Sequence, residues 1–286
     1  MSSKWIQGAR PRTLPAAIAP VIVATALAYR LYSVNWINAL LALLVGLAMQ
    51  IGVNFSNDYS DGIKGTDSNR VGPMRLVGSG AATPQQVKRA AIITYLSGAI
   101  FGLILALRTS IFLTLIGAVS IAAAWTYTGS SKPYGYRGFG EVSVFVFFGV
   151  VATNGTFFAV SGHNSGWALL ASITMGSLSC AILAVNNLRD LPKDLLAGKR
   201  TLAVLLGDLK ARFLLNGFLA LAHFTCIIFT ALTPWALITL LLVPQTRSIT
   251  KRVNRGAHGV ELIPLLGATG KLQMLLSTAL SIALLI

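Results

Sequence analysis

Long apolar runs recur along this chain at about 13–31, 36–56, 90–107, 110–127, 142–161, 166–186, 211–231, 233–245 and 267–286, separated by polar segments. Most have the length that spans bilayer hydrocarbon as a helix, roughly 20 residues. They predict an all-α fold, a polytopic membrane bundle of nine transmembrane helices. Composition agrees: 55% of residues are hydrophobic and 11% charged, against about 25% charged in a soluble domain. No water-soluble surface can be built from this, so residues 1–286 read as one membrane domain. The eighth run is short, and Thr233-Pro234 favours a break before it, because proline removes a helix donor and crowds the preceding turn.

The net charge of +15 suggests topology, not nucleic acid. With the N-terminus in the cytoplasm and nine crossings, 21 of the 23 lysines and arginines fall on the cytoplasmic side, as orientation by positive charge requires. Only Arg30 and Arg108 fall outside. A secretory signal is not expected, because the texture of the first run continues along the whole chain. Cys180 and Cys226 lie inside apolar runs and offer no disulfide framework. His163, His223 and His258 match no metal spacing.

Acidic residues give a sharper signal. All eight (Asp58, Asp61, Asp67, Glu141, Asp190, Asp194, Asp208 and Glu261) fall on that same side. Acids contribute little to topology, so orientation does not explain this. The first cluster runs from Asn54 through Asn57, Asp58, Asp61 and Lys64 to Asp67. On a helix reaching about Asp61, residues Asn54, Asp58 and Asp61 share one face. Carboxylates so placed repel and need a partner near a bilayer. Oxygen ligands without nearby His or Cys point to a hard divalent ion, Mg2+ first.

The second cluster holds Asn186, Asn187, Arg189, Asp190 and Asp194. Pro192 between its aspartates is expected to weaken the helix there, and it could open a new short helix as that helix's first residue. Two carboxylate pairs among basic residues suggest a substrate with several negative charges. A diphosphate fits, because Mg2+ is usually held by one or two carboxylates plus phosphates. Lys64, Arg70, Arg75, Lys132 and Arg189 are the nearest cations for it. A glycine-rich aromatic segment, 127–141, would cover the site, with Lys132 on phosphate and tyrosine faces such as that of Tyr134 toward a developing carbocation. Interfacial anchoring of the tyrosines is the alternative. Lys199, Arg200 and the stretch 247–255 read as topology charges.

The ordered motifs resemble the UbiA superfamily of intramembrane prenyltransferases. Asn57, Asp58, Asp61 and Asp67 match its first motif, and Asp190 and Asp194 its second. The wider gap before Asp67, the stretch 9–15, Gly65-Thr-Asp67 with 70–73, and 186–190 with 197–204 are most similar to the branch acting on 1,4-dihydroxy-2-naphthoate in menaquinone synthesis. The resemblance covers about residues 9–208.

It implies a helical bundle around a central cavity opening to the cytoplasmic side of the cell membrane, with a polyprenyl tail among the helices. It implies Mg2+ on Asp58, Asp61, Asp67, Asp190 and Asp194, a polyprenyl diphosphate donor and an aromatic acceptor. Asn54, Asn57 and Asn187 would orient phosphate or metal-bound water. Replacing Asp58 with Asn is expected to abolish transfer without loss of folded protein. Other branches would use 4-hydroxybenzoate, homogentisate, a chlorin or haem, or a phosphoribosyl donor. Outside the enzymes, a cation transporter would also use such carboxylates, although those are expected nearer mid-bilayer.

Overall fold

The computed structural model describes residues 4–65 and 74–286, and they are all-helical, with no strand among them. A short α1 (Lys4–Ala9) leads into α2 (Pro15–Leu31), bent 50° from it. Then come α3 (Trp36–Ile63), α4 (Pro84–Arg108) and α5 (Phe112–Gly129). A crossing over Gly140–Ser161 follows, in which α6 (Gly140–Val144) passes through a π-helical stretch, Phe145–Asn154, into α7 (Gly155–Ser161). Next are α8 (Gly166–Leu196), α9 (Leu202–Ile228), α10 (Val243–Asn254) and α11 (Leu262–Leu285).

Starts are set by local chemistry. Thr83 and Gln86 form a reciprocal capping box on α4 with Pro84 in its first turn, and Thr201 caps α9. These side chains satisfy amides that have no partner inside the helix.

Among the described residues, seven helices are long and apolar enough to cross a bilayer, and the bent pair Lys4–Thr13 and Pro15–Leu31 makes an eighth. The expected count of nine is not reached. The run at 233–245 forms a 3-10 stretch, Pro234–Leu242, which passes into α10. α10 reads VPQTRSITKRVN and is too polar to count as a span. Outer faces carry exposed Leu107, Phe112, Phe213 and Leu241. A surface this apolar belongs against lipid tails, so the chain is an integral membrane protein.

α3 packs along α4, α8 along α9, and α11 along α2. The main core joins Leu27, Phe157, Met175, Leu215, Phe229 and Leu272, and both cysteines are buried. Close approach uses small residues: a side-chain carbon on Gly149 would lie 2.8 Å from Gly176 Cα. That lets the π-helical stretch lie directly on α8, as small residues do where membrane helices touch.

Two element lengths place the site. α3 continues past its apolar run to Ile63, so the first acidic cluster is helical up to Ile63. α8 continues to Leu196 with Pro192 inside it, where a break was expected. Only four residues of the helix follow Pro192, so the lost hydrogen bond falls in the final turns. Asp190 and Asp194 therefore do share a face.

Candidate active site

A cavity of about 990 Å³ runs between α2, α3, α4, α5, the Gly140–Ser161 crossing and α8. It is at the upper end of the range for small-molecule sites, roughly 300–1,000 Å³. Its deep part is apolar, lined by Val21, Val45, Leu103, Leu113, Phe147 and Val151. Arg10, Asn54, Asn57, Arg75, Asn186 and Arg189 also line it. They lie near the end of α1 and near the ends of α3 and α8 that carry the acidic motifs.

Those motifs meet through Lys199. Its Nζ lies 3.3 Å from Asp61 Oδ1 and 3.9 Å from Asp194 Oδ1. Asp61 is buried and also pairs with Arg75, at 3.5 Å, and accepts a hydrogen bond from the Tyr136 hydroxyl. The Tyr136 ring faces both Lys199 and Lys64, 4.5 and 5.2 Å from its centroid. Arg189 grips Asp190 through two hydrogen bonds, of 2.8 and 2.6 Å. The loop carrying Tyr136 docks here because the Arg200 amide donates to the Tyr136 carbonyl at 2.8 Å. The aromatic segment thus does lie over the acidic cluster.

Asp58 is placed differently from Asp61. It is fully buried, and its two oxygens accept the backbone amides of Leu76 and Val77 at 2.7 and 3.0 Å. The segment after residue 73 is thereby fastened to the end of α3. Gly62 makes room, since a side chain there would collide with Val77. In this arrangement Asp58 holds a loop, and Asp61 alone of the pair faces the cations.

The other expected site residues divide. Asn54 lines the cavity while its amide ties down the N-terminal segment, donating to the Ala9 carbonyl at 2.9 Å and to Thr13 Oγ1 at 3.0 Å. Asn57 accepts from Thr128 at 2.8 Å. Lys64 donates to the Thr128 carbonyl at 2.6 Å, and partial desolvation lowers its ammonium pKa, against the pull of Asp61. Asn187 donates to Glu141, away from the cations, at 2.9 Å.

Tyr134 lines the cavity, bonded to the Ala123 carbonyl and to Ser143. Burial raises its phenol pKa, so it stays a donor. Lys132 is exposed and outside the lining, contrary to expectation. It follows the Ser130 turn outward, and Lys64 and Lys199 take the inward positions. Asp67 and Arg70 lie outside the described residues.

Three participants were not anticipated. Lys199 read as a topology charge, yet Gly198 (φ +70°) turns the chain back at the end of α8. The Lys199 amide then bonds the Asp194 carbonyl at 2.8 Å, and that of Gly198 bonds Leu195. This glycine-ended helix cap was the available signal. Tyr136 stood in the aromatic segment without a role of its own. Arg10 lines the cavity and has φ +53°, alone among described non-glycine residues.

Among the described residues no three Asp, Glu, His or Cys side chains converge on one point. The described residues by themselves therefore do not make a metal site held by protein alone. Mg2+ that arrives with phosphate does fit, because two carboxylates already share one cation and Mg2+ takes its other ligands from phosphate and water.

The sequence profile of the UbiA prenyltransferase family matches residues 17–249. The chain is 49% identical over 282 residues to 1,4-dihydroxy-2-naphthoate octaprenyltransferase of Mycobacterium tuberculosis (strain ATCC 25618 / H37Rv), covering 99% of this chain and 97% of that one. It is 37% identical over 279 residues to the protein of the same name from Escherichia coli (strain K12), covering 93% and 90%. Its fold matches a UbiA homolog from Archaeoglobus fulgidus bound to DMAPP and Mg2+, with a TM-score of 0.63 at 16% identity over 99% of both chains. This chain belongs to the UbiA prenyltransferase family.

Proposed function

We propose that this protein transfers a polyprenyl group from a polyprenyl diphosphate to 1,4-dihydroxy-2-naphthoate, with decarboxylation, to give demethylmenaquinol, the two-electron-reduced form of demethylmenaquinone. The observation that carries the reading is the meeting of Asp61 and Asp194 at Lys199, beside the arginine-lined part of a long apolar cavity. Near-complete coverage by relatives that bear that activity in their names supports the acceptor.

The cavity wall receives the prenyl tail and keeps water from the reacting carbon. Arg75 and Arg189 line the same cavity and would bind the diphosphate oxygens, and their planar forks suit phosphate. Asp61, Asp190 and Asp194 would hold Mg2+. Bound there, Mg2+ neutralises the charge that develops on the departing diphosphate. Tyr127 and Tyr134, in edge contact at 5.4 Å, line the cavity and offer ring faces to the allylic cation left behind. The acceptor ring then attacks that carbon; the ring position that gains the prenyl group sheds its proton, and the position that loses its carboxylate as carbon dioxide takes up a proton in its place. Basic residues beside both acidic motifs, Arg75, Arg189 and Lys199 among them, support a mouth on the cytoplasmic side.

The test is product mass spectrometry with purified protein, Mg2+, a polyprenyl diphosphate and 1,4-dihydroxy-2-naphthoate. Prenylated, decarboxylated naphthol and stoichiometric diphosphate are expected. Turnover of 4-hydroxybenzoate in preference would overturn the acceptor assignment, and failure to release diphosphate with any acceptor would overturn the reaction.

A further inference from the structure

Lys199 links the two acidic motifs through oxygens that a divalent ion would also need. Its side chain is 13% exposed and touches Asp61 Oδ1 and Asp194 Oδ1. The cap at Gly198 fixes its backbone on the end of α8, and the Tyr136 ring closes over its ammonium. Arg75 pairs with Asp61 and Arg189 with Asp190. Lys199 instead spans two residues 133 positions apart in sequence.

We infer that Lys199 is a tethered counter-ion that competes with Mg2+ for Asp61 and Asp194 and passes to the diphosphate when metal and donor bind together. The inference rests on the assignment of those carboxylates to Mg2+ in the proposed function. A divalent ion entering alone meets an ammonium already on its ligands, and the like charges repel in a partly desolvated place. A diphosphate entering with the metal gives that ammonium a new anionic partner and draws it off Asp61 Oδ1 and Asp194 Oδ1. Lys199 thus couples the two binding events, so that each strengthens the other by the same factor. It is a positioning residue: without donor, its ion pairs with Asp61 and Asp194 keep metal binding weak.

The experiment is Mn2+ titration of the full-length protein in detergent, followed by electron paramagnetic resonance. It is run with and without an unreactive allylic thiodiphosphate, with chelation by free ligand measured in a protein-free control. For wild type, donor analogue should tighten Mn2+ binding strongly. Lys199→Met should bind Mn2+ alone several-fold more tightly than wild type and lose most of the gain from the analogue. Lys199→Arg, which keeps the charge, should resemble wild type.

A Lys199→Met protein with unchanged or weaker Mn2+ binding, and the gain intact, overturns the inference and leaves the proposed function standing. No Mn2+ binding by wild type even with analogue overturns both. Should Lys199→Met fail to fold, acylation of wild-type lysines read by mass spectrometry decides. Mn2+ alone should increase modification of Lys199, and no increase overturns the inference.

Discussion

Asp58 accepts the backbone amide of Leu76 at 2.7 Å, while Asp61, one turn on, faces Arg75 and Lys199. Two aspartates of one motif therefore do different work. In Asp58→Asn, one of the two loop amides would face an NH2 group and lose its acceptor. An unsatisfied buried donor costs about 1–3 kcal/mol. The expected outcome is a lower thermal midpoint together with weaker turnover, which revises the sequence expectation of a folded but inactive protein. A melting curve equal to wild type would show that the loop does not depend on this carboxylate.

Asp194 gives the contrasting case. Its side chain is 13% exposed and its contact with Lys199 is 3.9 Å. Asp58, by comparison, takes two backbone amides. Asp194→Asn should therefore melt closer to wild type than Asp58→Asn, while diphosphate release falls about 100-fold or more, the scale for loss of a group that stabilises departing charge. Comparing melting curves with rates of diphosphate release separates the two aspartates.

Much of this was legible in the sequence because its signals are local. Apolar runs located the helices, and the spacing of Asn54, Asp58 and Asp61 put them on one face of a helix that does extend to Ile63. What failed depended on contacts between distant segments. Asp58 and Asp61 are the same residue type on the same face. Only the packing of Leu76 and Val77 against that helix separates their roles. Lys199 sits among other basic residues, and its bond to Asp61 joins residues 138 positions apart in sequence. Pro192 suggested a break, but a proline this near a helix end disturbs little. The run after Pro234 looked like a span because hydropathy does not register the 3-10 geometry or the polar α10 behind it.

The length of the donor tail should be set inside the cavity. Gly117 lines it, and a side-chain carbon built there meets nothing within 4 Å. Gly117→Leu would fill lumen without displacing backbone. Since even single methylene mismatches in an apolar pocket change rates by 10-fold or more, kcat/KM for a long polyprenyl diphosphate should fall about tenfold, with a short allylic donor little affected. Equal loss for both donors would place the tail elsewhere.

Arg10 is held in the left-handed region, at φ +53° and ψ +72°, where a residue with a side chain pays about 1–2 kcal/mol. Thr13 and Asn54 fasten this turn: the Thr13 hydroxyl donates to the Arg10 carbonyl at 3.0 Å, and Asn54 to the Ala9 carbonyl. A strained conformation kept at the wall of a cavity fits a guanidinium that must point at bound anion. Arg10→Ala keeps the strain and loses the charge, and Arg10→Gly loses both. After the entropy glycine loses on folding, Arg10→Gly should be more stable than Arg10→Ala by roughly 0.5–1 kcal/mol. Both should show the same loss of turnover and the same rise in KM for the donor. Thermal denaturation and donor kinetics on the two variants measure this, and recovery of activity in Arg10→Gly alone would mean that the backbone turn, not the guanidinium, is what the site needs.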